Sequence, residues 1–393
     1  MSNERKSDDF QSTPYELSAT AGLGEVIRQV IPRLEPQVAE LITPELAKSI
    51  NKVYFTGCGD SHYAGVAARL AFDKHSGVQT EPLESLEFSR YVVDYMPQGS
   101  LLFGISNSGQ VSRSTESIVL ARQRGAKTIA ITGNKEGPLA KAAEAVLIQT
   151  VPEMAGQRTG RRYGSGSLGL GNFLASLLAL YLSGLRIGEL RGKLQAKEAA
   201  ALKEELLQTA DILTRTAEHN SQPAYDLACA LWHLDTFFIL GGGPNYATAM
   251  FAAAKLFEQP HQTGVAQELE EWAHEQYFLT RPNVSPIFVI APPGNSRDRA
   301  IEQIHGARDF GGTVIAICDS EDQEIQKLAH WSLPVQGKMR EEFTPLAYTI
   351  PGMLFATALH QVKGRPPMIP PYDHKTMREV NYRQIFHSAI RER

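Results

Sequence analysis

The sequence predicts an α/β protein built from two tandem doubly wound parallel-sheet domains related by internal duplication. Three observations carry this expectation. Short Val/Ile/Phe-rich runs alternate with longer helical patterns, the rhythm of βαβ units over a buried parallel sheet. A glycine-rich turn follows the first such run of each half, G-C-G-D-S-H-Y-A after residues 53–56 and G-G-G-P-N-Y-A after residues 237–240. The halves also match at long range. A-R-Q-R-G-A-K-T-I-A-I from Ala121 has its counterpart in A-R-D-F-G-G-T-V-I-A-I from Ala307, 186 positions on, while Gly59 and Gly243 lie 184 apart. A nearly constant offset over such a distance implies duplication.

In the first half the pattern predicts strands at 53–56, 101–105 and 128–132, with helices at 64–72, 114–124 and near 139–145. The second half repeats it with strands at 237–240, 287–290 and 314–318 and helices at 248–257 and 300–310. Residues 190–218, rich in Ala, Leu, Lys and Glu at helical spacing, predict a bridging helix rather than a flexible linker. An amphipathic helix is expected near 24–41. The expected organisation is an N-terminal extension (1–50), a first domain (51–188), the bridging helix (189–222), a second domain (223–365) and a C-terminal tail (366–393).

The 393 residues are enough for two ordinary domains, and 42% hydrophobic with 21% charged residues exclude wholesale disorder. With 39 Lys and Arg against 43 Asp and Glu, the chain has no general attraction for polyanions, so no nucleic-acid partner is expected. Cys58, Cys229 and Cys318 are widely spaced and form no C-x-x-C signature, which suits a reducing compartment. The N-terminus lacks a signal-peptide apolar core, and the longest nearly apolar stretch, 174–185, is too short for a bilayer. A cytoplasmic chain without a membrane partner is the expectation.

The first chemically loaded element is S-N-S-G, comprising Ser106, Asn107, Ser108 and Gly109, directly after a strand and before a helix. In an open parallel sheet, ligands sit at the carboxyl ends of strands, where a helix N-terminus offers N–H groups and a positive dipole. Hydroxyls and a glycine there suit an anion. The plain alternative is that Ser and Gly simply cap the helix. A second small, donor-rich turn, Gly57, Cys58, Gly59, Asp60 and Ser61, follows a neighbouring strand and could converge on the same anion. The second half has A-P-P-G-N at 291–295 instead, so the anion site should belong to the first domain only.

The second loaded element runs from Lys255 to His274. Lys255 and Glu258 share one face of an otherwise apolar helix, as a surface ion pair or as a placed carboxylate. Downstream, E-L-E-E-W-A-H gathers Glu268, Glu270, Glu271 and His274. No second His stands at i+3 or i+4 and no Cys is near, so neither a metal nor any other cofactor is expected.

These motifs together, G-C-G-D-S, I-S-N-S-G, G-G-G-P-N-Y with A-A-A-K-L-F-E, and E-E-W-A-H, resemble the double sugar-isomerase (SIS) family, over about residues 53–375. The likeness is greatest to the isomerase half of glucosamine-6-phosphate synthases and to fructosamine-6-phosphate deglycases. It implies flavodoxin-like domains whose Ser-rich turns bind the sugar phosphate, which carries over to Ser61, Ser106, Asn107 and Ser108. Gly59, Gln110, Arg113 and Lys255 join them as expected substrate-binding residues. The resemblance further implies Glu258 as the base moving a proton between C1 and C2. His274 would open the ring or protonate the leaving amine, reaching the site from the partner subunit of a homodimer. A C-terminal lysine enters the site in the synthases, and Lys375, eleven residues after Lys363-Gly364, reproduces that separation.

The departures matter as well. Val111 stands where the family has a phosphate-binding threonine, Glu275 replaces the glycine after the histidine, and the expectation is of an isomerase part without the glutaminase domain of the synthases. The expectation is therefore a metal-independent aldose–ketose isomerase of a hexose with a C6 acid, working through a cis-enediol or enolamine. A deaminase or deglycase of 6-phospho amino sugars or fructosamines would use the same residues. Arg113, with Arg158, Arg161 and Arg162 downstream, leaves room for a sulfonated sugar. A phosphosugar-binding regulator would need the anion site but not Glu258 and His274.

Overall fold

The structure, a computed structural model, describes residues 22–151, 169–364 and 374–391. The chain divides into two compact units. The N-terminal unit comprises described residues 25–151, 169–208 and 374–391, and the C-terminal unit chiefly residues 209–364.

In the N-terminal unit, α1 (Leu23–Leu41) repeats apolar residues every three to four positions, and Val26, Val30, Leu34 and Val38 are all buried. After the short α2 (Pro44–Ser49) come β1 (Lys52–Gly57), α3 (Asp60–Ser76), β2 (Thr80–Glu84) and β3 (Ser100–Ile105). Then follow α4 (Ser112–Gln123), β4 (Lys127–Thr132), α5 (Pro138–Ala142) and β5 (Ala145–Ile148). The five strands are parallel in the order β2-β1-β3-β4-β5. Gln37 of α1 satisfies the edge of β5, donating to the Ile148 carbonyl at 3.2 Å and accepting from the Ile148 N–H at 2.8 Å.

α6 (Leu170–Leu190) packs along α3. It exceeds the apolar stretch expected at 174–185, and its 21 residues are long and apolar enough to cross a membrane. However, 89% of its apolar window is buried within the protein, as in a core helix. α7 (Ala196–Leu231) begins and ends later than the bridging helix expected at 190–218, because Gly192 turns the chain with φ 72° between α6 and α7. The division between the units falls inside α7.

The C-terminal unit runs β6 (Thr236–Gly241), α8 (Pro244–Glu258), β7 (Thr263–Glu268), β8 (Pro286–Ala291) and α9 (Arg297–Asp309). It continues with β9 (Thr313–Cys318), α10 (Gln323–Leu328), β10 (Trp331–Ser332) and α11 (Pro345–Lys363). Its parallel sheet is ordered β10-β9-β8-β6-β7, the arrangement of the first sheet repeated. The final helix, α12 (His374–Phe386), belongs to the N-terminal unit.

The duplication extends to backbone conformation. Gly59 at the head of α3 has φ 55° and ψ −130°, and Gly243 at the head of α8 has φ 54° and ψ −127°. Side chains avoid this region, although a Cβ at either position would meet open space. Gly243→Ala should therefore cost about 1–3 kcal/mol through strain alone, read as a lower urea midpoint with the fold retained. An unchanged midpoint would show that the turn relaxes freely.

Candidate functional site

The switch point of the first sheet lies between β1 and β3, where connections leave in opposite directions. Thr56 stands opposite Gly104 in the register, so the turns after these strands leave the sheet side by side. In the first, the Ser61 N–H donates to the Cys58 carbonyl at 3.3 Å, and Asp60 opens α3. In the second, the N–H of buried Ser106 donates to the Ile131 carbonyl at 3.0 Å, and Gly109, at φ 64°, donates back to the Ser106 carbonyl at 3.0 Å.

The end of β4 braces this second turn. The Asn107 carbonyl accepts from the Gly133 N–H at 3.0 Å and from Thr132 Oγ1 at 3.3 Å, while Asn134 Nδ2 donates to the Ser108 carbonyl at 3.0 Å. Ser108 Oγ accepts from the Gln110 N–H at 3.3 Å. Neither serine caps α4. The cap position is Val111, which supplies no side-chain bond, and the first turn carries no carboxylate. Among the described residues no hydrogen bond to the N–H groups of Ser112, Arg113 or Ser114 is seen, the condition for an anion site.

The counterpart turn of the C-terminal unit is differently furnished. Pro292 and Pro293 have no N–H, and Asp298 sits in the first turn of α9. Glu341 supplies the anion itself: its Oε1 accepts from the Asn295 N–H at 3.0 Å and its Oε2 from Asn295 Nδ2 at 2.8 Å.

In the same unit, Lys255 is not the surface partner of Glu258. Its side chain is 0% exposed, with Nζ 4.6 Å from the Phe251 ring centroid and 2.7 Å from Glu258 Oε2, while Glu258 is 32% exposed at the last position of α8. A buried ammonium of this kind balances and aims a carboxylate. His274 follows a short 3-10 turn, Glu271–Ala273, with its side chain 64% exposed. Its Nε2 lies 3.1 Å from Glu270 Oε1, and Glu270 in turn receives Arg299 Nε at 2.5 Å. These two bonds, that to Arg299 first, hold the Glu270 carboxyl below its ordinary range.

Arg113, expected as a ligand for the sugar's acid group, is taken up internally. It pairs with Glu116, and its Nη2 donates to Ser388 Oγ at 3.1 Å and to the Ala389 carbonyl. Lys375 lies in the first turn of α12. Arg158, Arg161 and Arg162 lie outside the described residues.

Sequence reasoning missed the braces Thr132 and Asn134, the buried Glu116 and its second partner Arg90, and a histidine pair beside the first turn. In that pair His62 is buried, with Nε2 3.2 Å from Oε1 of exposed Glu84 at the end of β2. The signal for Glu116 was present: it falls one helical turn before Leu120, on a buried stripe.

A model of the SIS domain matches residues 45–162 and 230–360. The isomerizing glutamine–fructose-6-phosphate aminotransferase of Corynebacterium glutamicum is 27% identical over 331 residues, covering 82% of this chain and 50% of that protein. The chain spans about half the length of the curated relatives it matches. Among solved structures, the C-terminal domain of glucosamine-fructose-6-phosphate aminotransferase from Francisella tularensis superposes with a TM-score of 0.80 at 20% identity, over 93% of this chain and all of that one. A protein described as a tagatose-6-phosphate ketose/aldose isomerase from Clostridium novyi gives 0.73 at 17% identity over 100% of both chains. Glucosamine-6-phosphate deaminase from Thermotoga maritima gives 0.62 at 17%, over 90% and 98%. At these identities the structures establish a shared fold.

Burial of His62 lowers its pKa below the ordinary 6.5, with Glu84 and the Leu83 backbone opposing the shift. The unfolded chain therefore binds this proton more readily than the folded one, so stability is full at neutral pH and falls as pH drops below about 6.5 through the depressed folded value. In urea, the parent should lose more stability between pH 7 and pH 5 than His62→Asn. Identical losses would remove His62 as a source of acid sensitivity.

Proposed function

The chain belongs to the SIS-domain family, and from that premise we propose that it is a metal-independent aldose–ketose isomerase of a hexose carrying a C6 acid, in the first place a 6-phosphate. The observation that carries this reading is Glu258, a partly exposed carboxylate fixed at a helix end by a fully buried ammonium. Proton transfer between adjacent carbons needs a base whose position is set before the substrate arrives. In this reading Glu258 removes the proton from the carbon next to the carbonyl, giving a cis-enediol, and returns it to the neighbouring carbon while the oxygens exchange theirs. The braced turn holding Ser106, Asn107 and Ser108, with the first turn of α4 and the neighbouring Gly59 and Ser61, takes the distal acid. Lys375 is assigned to the same site. His274 serves ring opening, and its exposure suits action in the site of a second subunit of a homodimer.

The second reading, a deaminase or deglycase of 6-phospho amino sugars or fructosamines, uses the same Glu258 and His274, with the histidine protonating the leaving amine. NMR in deuterated water with glucose 6-phosphate, glucosamine 6-phosphate, a fructosamine 6-phosphate and sulfoquinovose separates the readings: exchange at C2 with ketose formation marks the isomerase, and release of amine the alternative. Neither from any of these sugars would leave a binding protein.

Glu258→Gln should bind the turned-over sugar within a few-fold of the parent while losing ~10²–10⁴ in turnover, since an amide cannot accept a carbon-bound proton. Near-parental C2 exchange would dismiss Glu258 as the base. Subunit sharing has its own test. When inactive Glu258→Gln and His274→Asn chains are dissociated and mixed, about half the dimers pair randomly as hybrids with one intact site, so roughly a quarter of parental activity should return. No recovery despite measured exchange would put both groups in one chain's site.

A further inference from the structure

Glu116 is the most deeply placed charge in the N-terminal unit's helix layer, and the anion-site reading above makes no use of it. Its side chain is 0% exposed in the second turn of α4, and two guanidinium groups converge on it. Arg90, from the π-helical turn Phe88–Val92, brings Nε to 2.5 Å from Oε1 and Nη2 to 3.2 Å from Oε2, while Arg113 pairs with Oε2. Two cations against one carboxylate leave the cluster with a net positive charge close to the head of the helix. The cluster also holds a distant piece of chain. Arg113 donates to Ser388 Oγ at 3.1 Å and to the Ala389 carbonyl, and the Arg391 N–H donates to Glu116 Oε2 at 3.3 Å.

Among the described residues, little of the segment so fastened is buried. Every residue of 376–391 whose burial is described is exposed or half-exposed, including Met377, Val380, Ile385 and Ile390. Its ring contacts, Tyr382 with Phe386 at 4.9 Å and with His387 at 5.1 Å, are internal to it. Docking by a few charged hydrogen bonds, without a buried apolar face, is the mark of an attachment that opens at low cost.

We propose that residues 388–391 form a strap on the anion-binding helix, and that Arg113 and Glu116 are positioning residues that couple its docking to occupancy of the turn at 106–112. Arg113 is the second residue of α4, so holding its guanidinium from both sides restricts the motion of that first turn. An anion on those N–H groups steadies the same turn. Each event therefore favours the other, and the coupling is reciprocal. The strap carries α12 with it, so docking also sets the far end of the helix whose first turn holds Lys375. Arg113 then acts through the strap, and the substrate's acid is left to the hydroxyls and N–H groups.

The coupling rests on the anion reading of the turn, and the test keeps the two apart. Amide exchange of residues 376–391 is followed in the parent with and without inorganic phosphate or glucose 6-phosphate, and phosphate affinity is measured calorimetrically in the parent, in Arg113→Ala and in a chain ending at His387. The expected result is several-fold greater protection of 376–391 when the anion is bound, and anion affinity five- to tenfold weaker in both variants. Protection indifferent to the anion, or affinity indifferent to loss of the strap, overturns the proposal. Truncation keeps Glu116 with both Arg90 and Arg113 and removes only the strap's own bonds, which guards against the unfolding risked by Glu116→Gln. If the parent binds neither anion, the reading of the turn fails instead, and the strap is decided without ligand: 376–391 as well protected in Arg113→Ala as in the parent overturns it.

Discussion

The first turn of α4 sets the terms for everything around it in the N-terminal unit. A helix begun by valine, with no carboxylate among its leading residues, keeps its N-terminal donors and the positive end of its dipole uncompensated. That condition is tolerable because the turn feeding it is rigid without their help: Gly133, Thr132 and Asn134 secure the carbonyls of Asn107 and Ser108, and Leu139 secures that of Gly109. The strand order makes this bracing possible. With β4 beside β3, the loop leaving β4 emerges next to the turn and reaches its carbonyls from the side away from β1. The acidic side chain nearest along the helix, Glu116, is overbalanced by Arg90 and Arg113, so its charge does not cancel the positive end of the helix.

The duplicated unit shows what the same architecture does when that condition is removed. The strand order is repeated, and the glycine heading α8 copies the one heading α3 to within a few degrees. Yet prolines delete N–H groups from the turn after β8, and the carboxylate of Glu341 bonds the N–H of Asn295. One copy thus meets its own anion while the other presents its donors. The C-terminal unit has instead spent its helix α8 on charge. A lysine with no solvent exposure is costly to keep, and it persists only with a partner held close; here the partner is Glu258, at the point where the helix ends and the chain turns toward β7. After duplication, one unit presents a helix start that its own N-cap side chain does not cap, and the other a carboxylate placed on a buried ammonium.

The central strands were legible because both of their faces are buried, which writes them as continuous apolar runs: all six residues of β3 and of β8 are buried. The edge strands were not. β2, T-E-P-L-E, is half-exposed with a proline inside it, β7 is largely half-exposed, and β10 has only two residues, so these carry no hydrophobic signature, while β5, A-V-L-I, is apolar but only four residues long and follows α5 too closely to be told from the helical pattern expected near 139–145. Site residues divide in the same way. Spacing paired Lys255 with Glu258 and set Ser106 and Ser108 before a helix, since these are local relations. Burial is not local: nothing in K-L-F-E says that the ammonium is sealed beneath Phe251, and nothing near Arg113 announces that its partners stand 275 and 276 positions along the chain. Arg113 looked available because the residues that claim it are remote in sequence.

The two proposed acid–base groups are held in opposite ways, and this bears on how they could work. Glu258 rests on a buried ammonium, so its carboxylate is aimed from beneath and has little freedom. His274 is displayed: most of its imidazole is in solvent, steadied by Glu270, which is itself steadied by Arg299, all on the outside of the unit. An exposed surface relay of this kind contributes little to stability, because each pair is screened by water. The same arrangement is economical if the histidine is meant to be desolvated by another surface. The carboxylate of Glu270 orients the ring beforehand, and covering the pair would strengthen the bond between them as solvent leaves. Exposure of this kind accords with the proposal that His274 acts in a second copy of the chain, where the placed carboxylate of Glu258 would need no such covering.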